Sequence, residues 1–175
     1  MAAHLPRLRM LSAGLELAVE FGVKRGGSAT ALLLGAQRVI SIDIKPTREA
    51  QQLQQIVGDR WDYRICDSRT AQISECDLLF LDSHHSYAQV STELEAHGHK
   101  VRRYLIFHDS ITFGSIAAAS ENGKQAWTYT PAQSVPQQFL GIRPAIDLYM
   151  AQDDSWRVKS HYVDSHGLLV LERRR

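Results

Sequence analysis

Two short apolar runs in this sequence end in side chains that can bind a metal ion or move a proton. The first run, Asp77 to Leu81, is followed at once by Asp82, Ser83, His84 and His85. A carboxylate beside two imidazoles suits metal coordination or acid–base chemistry, since imidazoles titrate near neutral pH. A continuous apolar run bounded by polar residues predicts a strand buried on both faces of a parallel sheet.

The second run repeats this arrangement, because Tyr104 to Phe107 is followed by His108, Asp109 and Ser110. The carboxyl ends of strands in an open α/β sheet line its ligand-binding crevice, so both groups of polar side chains are expected at one edge. Polar residues also end many buried strands without a function, and Asp or Ser there often caps the next helix. The pairing of two such strand ends favours a site over that alternative.

Alternating strand and helix patterns position these residues. The predicted strands are 17–21, 39–42, 61–65, 77–81 and 104–107, with helices at 28–34, 47–57, 86–99 and 137–151. Two further strands, 157–163 and 168–171, flank a turn and predict a C-terminal antiparallel hairpin. The chain is therefore predicted to be one α/β domain with a Rossmann-like, doubly wound, mostly parallel seven-stranded sheet.

A glycine-rich turn follows the first predicted strand, at Gly22, Gly26 and Gly27. Glycine lets the backbone approach a ligand closely, and the helix that follows offers free N–H groups. The spacing matches neither the GxGxxG dinucleotide fingerprint nor a P-loop. Tight packing of the strand against the helix is the simpler explanation for the turn taken alone.

Acidic residues end the next strands in register with that turn. Asp43 lies about 20 residues after it, where a carboxylate can accept hydrogen bonds from the hydroxyls of a ribose. Asp67 and Ser68 end the third strand, where an adenine ring would lie, and Asp82 ends the fourth. Each residue alone could cap a helix or form a turn. Their register at successive strand ends is the strongest indication of a bound cofactor.

Composition limits the classes of partner. With 175 residues, 44% of them apolar and 22% charged, the chain fits one globular domain with a single core. A net charge of +1 gives no indication of nucleic-acid or membrane-surface binding, and no run approaches the length of a bilayer span. Cys66 and Cys76 lack metal or redox spacing. We therefore expect a cytoplasmic protein with reduced cysteines.

Five segments together resemble the class I S-adenosylmethionine-dependent methyltransferases. They are VEFGVKRGGSAT, ISIDI, CDSR, DLLFLDSHHSY and YLIFHDS. More narrowly, they resemble the metal-dependent macrocin and mycinamicin sugar O-methyltransferases and the cephalosporin-hydroxylase-like proteins grouped with them. The likeness runs from Val19 to Asp109 and continues more weakly through Gly141 to Ile146 and from Trp156 onward.

The resemblance implies a role for each strand-end residue. S-adenosylmethionine would be bound by residues carried over from the family motifs: Glu20, Gly22, Gly26 and Ser28 around its methionine part, Asp43 at the ribose, Asp67 and Ser68 at the adenine, and Asp82 beside them. Asp82 and Asp109 would also hold a divalent cation, Mg2+ or Mn2+, and His85 would be the general base. His108 stands where related sugar methyltransferases have an acidic residue, so it is the third candidate ligand.

The methyl acceptor implied by the resemblance is a hydroxyl of a small molecule, whether a sugar, a polyketide or a phenol. Only a short arm, residues 1–16, precedes the first strand, whereas relatives often carry longer N-terminal elements that cover the substrate. The acceptor pocket is then open, completed by another subunit of a homo-oligomer, or built from an irregular segment at 113–136 that would act as a loop or lid.

Three other interpretations stay open at this point. One is a nicotinamide-dependent oxidoreductase on a similar fold, against which the glycine spacing argues. Another is an Fe(II) hydroxylase site in which His85, His108 and either Asp82 or Asp109 bind the metal. The last is a catalytically inactive domain that only binds a cofactor or a partner.

Overall fold

A computed structural model describes residues 1–116 and 140–174 of the chain. Its centre is a seven-stranded sheet with the order β3-β2-β1-β4-β5-β7-β6. The strands are β1 Leu17–Phe21, β2 Arg38–Asp43, β3 Trp61–Ile65, β4 Cys76–Leu81, β5 Val101–His108, β6 Trp156–Tyr162 and β7 Leu168–Arg173. Neighbouring strands among β1 to β5 pair in parallel, whereas β7 pairs antiparallel with both β5 and β6. The predicted fold class and C-terminal hairpin are thus confirmed.

Helices cover both faces of the sheet. They are α1 Leu5–Ser12, α2 Gly27–Leu33, α3 Arg48–Val57, α4 Tyr87–His97 and α5 Ile142–Gln152. Alternate side chains of β4 point to opposite faces, so Leu79 packs in the layer of α4 and α5 while Leu78 and Phe80 pack in the layer of α1, α2 and α3. Every residue of β4 is buried, as expected of a central strand with helices on both sides.

Local sequence sets the starts of α3 and α4. The Thr47 hydroxyl accepts a hydrogen bond from the Ala50 amide at 3.3 Å, and the Ser86 hydroxyl accepts one from the Gln89 amide at 3.3 Å. Each bond satisfies one of the amides that lack a partner in the first turn of a helix. The predicted starts at 47 and 86 therefore correspond to these two caps.

Two predicted boundaries differ from the structure by three residues or more. The fifth strand begins at Val101 rather than Tyr104. Its first residues were not predicted because Arg102 and Arg103 are exposed and charged, so they interrupt the apolar run. The helix predicted to begin at position 137 begins at Ile142, since Leu140 pairs with Ile116 in an isolated β-bridge. Residues 117–136 of the predicted substrate-side loop lie outside the described residues.

The N-terminal arm contains a short helix that packs on α2. Leu8 of α1 is fully buried, and Arg7 Nη1 lies 2.7 Å from Asp164 Oδ1 in the turn between β6 and β7. This ion pair ties the first helix to the last hairpin at the edge of the sheet where β5 ends. Within the described ranges, none of the helices has the length and apolar character required to cross a membrane.

Candidate active site

Four titratable side chains meet where β4 and β5 end. Leu81 pairs with Phe107 in the parallel register, so the residues that follow these strands lie side by side. Asp82, His85, His108 and Asp109 each offer a ligand atom, and these atoms all lie within 4.8 Å of one another. The structure therefore brings together the proposed metal ligands and the proposed general base.

His108 connects the two carboxylates. Its Nδ1 lies 3.1 Å from Asp82 Oδ1 and 3.0 Å from Asp109 Oδ1, while the ring is almost fully buried. Burial opposes the charged imidazolium, but the hydrogen bonds to Asp109 and Asp82 outweigh it and raise the pKa of His108 to about 9. Burial likewise opposes ionisation of Asp82, but the hydrogen bond from His108 and the nearby His85 imidazole hold the pKa of Asp82 below its ordinary value.

His85 approaches both carboxylates from the other side. Its Nε2 lies 3.3 Å from Asp82 Oδ1 and 3.3 Å from Asp109 Oδ2, and its ring stacks on Phe113 at a centroid distance of 5.3 Å. The backbone of Asp109 has a φ of 56°, a left-handed conformation that is uncommon outside glycine. Such strained backbone is concentrated at functional sites, where the surrounding structure fixes it.

The four side chains border a cavity of about 1220 Å3 that extends across the ends of the central strands. Its lining includes residues from the ends of β2 and β5, from the turns after β1, β3, β4 and β5, and from the starts of α2 and α4: Gly22, Gly27, Ser28, Asp43, Asp67, Ser68, Asp82, Ser83, His84, His85, Gln89, His108 and Asp109. Ligand pockets commonly have volumes of about 300 to 1000 Å3, so this one has room for a cofactor and a small acceptor.

The glycines of the first turn have different surroundings. A Cβ added to Gly22 would lie 2.2 Å from the Asp82 carbonyl oxygen, and the Gly22 φ of 87° also favours glycine. Gly22 therefore lets the first turn pack directly against the end of β4. A Cβ on Gly27 would meet nothing within 4 Å, which leaves the backbone at the start of α2 open to the cavity. Gly26 faces Leu53 instead and is not part of the cavity wall.

Asp43 holds the glycine-rich turn in place. Its Oδ2 accepts hydrogen bonds from the amides of Val23 at 2.8 Å and Lys24 at 2.9 Å, and its Oδ1 accepts one from the amide of Lys45 at 3.1 Å. The residue lies on the cavity wall. The carboxylate therefore orders the first turn and also faces the space in which a ribose would lie.

Glu20 is fully buried behind the cavity wall. The Ser41 hydroxyl donates to Glu20 Oε2 at 2.7 Å, and the Trp61 indole N–H donates to Ser41 Oγ at 2.8 Å. Burial raises the pKa of Glu20 to about 7, although hydrogen bonds from Ser28 and Ser41 oppose the shift. Of the residues expected around the methionine part, Gly22 and Ser28 line the cavity, whereas Glu20 and Gly26 do not.

The turn after β3 is held by side-chain hydrogen bonds. Asp67 Oδ2 accepts from Arg69 Nη2 at 2.6 Å, which lowers the pKa of Asp67. The Ser68 hydroxyl donates to Glu93 Oε1 at 2.5 Å. Sequence reasoning missed Glu93, although an acidic residue between Val90 and Leu94 on the buried face of α4 is a detectable irregularity.

Residues from both chain ends also border the cavity and were not anticipated. They are Met1 and Ala2 before α1, and His166 in the turn between β6 and β7. His166 Nδ1 lies 3.0 Å from Thr112 Oγ1, just after β5. No local pattern indicates these positions, because the packing of α1 on α2 and the pairing of β7 with β5 bring them to the cavity.

The arrangement fits a nucleoside-type cofactor and a divalent cation. Open backbone at Gly27, a carboxylate at Asp43 and polar groups at the end of β3 occupy successive positions along one cavity. Two carboxylates and two imidazoles converge beside it, and this is a donor set that divalent cations accept. The buried His85 Nε2 has no hydrogen bond of acceptable geometry, so it is available to a ligand.

Comparison with known proteins identifies the family. Residues 19–110 match the family model described as a methyltransferase domain. No curated protein sequence matches the chain significantly.

Solved structures share the fold at low sequence identity. N-methyltransferase NodS from Bradyrhizobium japonicum WM9 in complex with S-adenosyl-l-homocysteine has a TM-score of 0.65 and 14% identity, over 99% of this chain and 85% of that chain. Cofactor-bound Rv0187 from MTB has a TM-score of 0.70 and 17% identity, over 100% of this chain and 81% of that chain. A caffeoyl-CoA O-methyltransferase-like protein from Staphylococcus aureus has a TM-score of 0.66 and 12% identity, over 98% of this chain and 81% of that chain.

The family match favours the methyltransferase interpretation over the oxidoreductase and hydroxylase alternatives. The family model spans the glycine-rich turn and the ends of the five parallel strands, which are the parts that line the cavity. The chain belongs to the methyltransferase-domain family and has the fold of the S-adenosylmethionine-dependent methyltransferases.

Proposed function

We propose that this protein is an S-adenosylmethionine-dependent O-methyltransferase that acts on a hydroxyl of a small molecule such as a sugar, a polyketide or a phenol. The observation that carries the proposal is the convergence of Asp82, His85, His108 and Asp109 at the end of the cavity that the glycine-rich turn also lines. The acceptor class follows from the resemblance to the macrocin and mycinamicin sugar O-methyltransferases.

The cofactor would lie across the strand ends. Gly22 and Ser28 would face its methionine part, Asp43 its ribose, and Asp67 with Ser68 its adenine; Glu20 and Gly26 would support this wall from behind. S-adenosylmethionine, when bound, supplies a methyl group on a positively charged sulfur.

Asp82, Asp109 and His108 would hold Mg2+ or Mn2+, and the cation would lower the pKa of an acceptor hydroxyl bound beside it. Carboxylate oxygens suit both ions, whereas the imidazole of His108 makes Mn2+ the better match of the two. His108 would have to release the proton on Nδ1 to serve as a ligand, since the two carboxylates currently surround that atom.

His85 would take the proton from the acceptor hydroxyl. Its buried Nε2 has no hydrogen bond of acceptable geometry, and the carboxylates of Asp82 and Asp109 at 3.3 Å would stabilise the imidazolium that forms. Stacking against Phe113 limits rotation of the ring. The chain's own residues thus orient the acceptor oxygen and accept its proton, and positioning of this kind supplies much of the rate of a displacement.

Calorimetric titration of the purified protein with S-adenosylmethionine, S-adenosylhomocysteine and NAD, each with and without Mg2+ or Mn2+, tests the proposal. We expect both sulfur compounds to bind and NAD not to bind. We also expect methyl transfer to a hydroxyl acceptor to require the metal. If neither sulfur compound binds, the proposal is wrong. If the protein methylates an amine without a metal, the proposed hydroxyl acceptor and the proposed metal requirement are both wrong.

A further inference from the structure

One face of α4 holds the turn that follows β3. Gln89, Glu93 and His97 are spaced four residues apart, so they lie on the same side of the helix. All three bond to Ser68. Gln89 Nε2 donates to Ser68 Oγ at 3.1 Å, Ser68 Oγ donates to Glu93 Oε1 at 2.5 Å, and His97 Nε2 donates to the Ser68 carbonyl oxygen at 2.7 Å.

The Glu93 carboxylate also joins the turn after β3 to the turn after β4. Its Oε1 accepts from Ser83 Oγ at 2.7 Å and from Gln89 Nε2 at 2.8 Å, in addition to Ser68. The three donor residues line the large cavity, whereas Glu93 is fully buried and does not. Any effect of Glu93 on a ligand in the cavity therefore passes through Ser68, Ser83 or Gln89.

A packing role alone does not explain this carboxylate. Burial raises the pKa of Glu93, against the opposing hydrogen bonds from Ser68, Gln89 and Ser83. Within residues 1–116 and 140–174, no lysine or arginine lies in ion-pair contact with it. Leucine would fill this position between α4 and the sheet without the cost of burying a charge. The hydrogen bonds to the two turns are what glutamate adds.

We propose that Glu93 is a positioning residue that fixes Ser68, and with it Asp67, in the conformation that receives the adenosine part of the cofactor. The inference rests on the proposed function, in which Asp67 and Ser68 face the adenine. Loss of the Glu93 hydrogen bonds frees the turn after β3, and the cofactor must then order that turn when it binds.

Titration calorimetry with S-adenosylhomocysteine tests this inference. We expect Glu93→Leu to weaken binding by about tenfold or more, because hydrogen bonds to a charged group are among the strongest. Glu93→Gln keeps an oxygen acceptor for Ser68 and Ser83, so it should stay within about threefold of the wild type. Glu95→Leu is the matched control, since Glu95 is exposed on the same helix and its replacement should leave the affinity unchanged.

A double-mutant cycle separates positioning from general loss of structure. If Glu93 acts through Ser68, the losses in Glu93→Leu and Ser68→Ala will not add in the double variant. Additive losses, or wild-type affinity in a folded Glu93→Leu variant, would overturn the inference. Should Glu93→Leu not fold, Glu93→Asp keeps the charge but withdraws it from both serines, and unchanged affinity there would overturn the inference equally. Failure of the wild type to bind would instead remove the proposed function.

Discussion

At the scale of single residues, the two histidines of the site have different surroundings. His108 Nδ1 lies 3.0 to 3.1 Å from both Asp82 and Asp109 and its side chain is 5% exposed, whereas His85 Nε2 lies 3.3 Å from the same carboxylates and its side chain is 15% exposed. A proton-accepting group must reach the substrate, so His85 is the better base. His108 is better placed to bind a cation or to neutralise the two carboxylates.

We expect His85→Ala to lower kcat by roughly 10² to 10⁴, because general-base catalysis contributes about that factor. Cofactor affinity should stay unchanged, since the side chain meets the acceptor rather than the adenosyl group. His99→Ala removes an exposed histidine and is the matched control. Steady-state kinetics and calorimetry on the same preparations measure both quantities, and full turnover in His85→Ala would exclude the residue as the base.

Part of this site could be predicted from the sequence because its residues directly follow strands. Asp43, Asp82, His85 and Asp109 each stand at the end of an apolar run or just beyond it, and parallel strands bring such ends to one edge. Glu93 could not be assigned in this way, since its partners Ser68 and Ser83 are distant in sequence. The burial of Glu20 and the position of Gly26 against Leu53 likewise depend on packing that no local pattern contains.

At the scale of elements, the site depends on close contact between the turn after β1 and the end of β4. The Gly22 amide donates to the Ile42 carbonyl at 2.9 Å, and the Asp82 amide donates to the Phe21 carbonyl at 2.8 Å. These bonds continue the backbone pairing one residue past the strand ends and fix the position of Asp82 next to the turn after β1. The contact leaves no space for a side chain at Gly22.

Gly22→Ala should therefore destabilise the protein by about 1–3 kcal/mol or more, from the left-handed backbone and the overlap with the Asp82 carbonyl. We also expect weaker cofactor binding, because relief of the overlap moves Asp82. Gly27→Ala is the matched substitution, since nothing lies within 4 Å of its added Cβ and alanine favours a helix. Equal unfolding free energies for the two variants in urea would contradict this account.

Element boundaries were predictable where a local signal exists. The caps at Thr47 and Ser86 indicate the starts of α3 and α4. The apolar run at 77–81 indicates β4 to within one residue of its observed bounds. The start of β5 was missed because Arg102 is stabilised by a distant partner, with Nη2 3.1 Å from Asp77 Oδ1. The start of α5 was missed because Leu140 forms a bridge with Ile116.

At the scale of the whole molecule, apolar side chains pack on both faces of the sheet, and a group of titratable side chains lies near the carboxyl ends of its central strands. Glu20 and Glu93 are fully buried there, and Asp82, His108 and Asp109 lie close to them. A helix layer on each side covers the two faces of the sheet with apolar side chains. The site is thus maintained by the folding of the complete domain, and protonation of these groups is linked to the free energy of unfolding.

Two of these pKa shifts predict how stability changes with pH. The pKa of Glu20 rises from 4.5 to about 7 in the folded protein, so its contribution is full below pH 4.5 and is lost as pH rises through 7. The pKa of His108 rises from 6.5 to about 9, so its contribution is full below pH 6.5 and is lost as pH rises through 9. Both effects have the same sign, so the contribution of these two groups to stability should fall as pH rises from 5 to 9.

Thermal unfolding of the metal-free protein between pH 5 and pH 9 measures this fall, which we expect to amount to roughly 5 °C or more in Tm. Glu20→Gln cannot ionise but keeps an acceptor for the Ser41 hydroxyl, so it should flatten the curve below pH 7 and leave the decline between pH 7 and pH 9. Glu49→Gln, on an exposed part of α3, should reproduce the wild-type curve. A Glu20→Gln curve that falls in parallel with the wild type from pH 5 would show that the buried carboxylate is not the group that titrates, and the pH dependence would then have to arise elsewhere in the cluster.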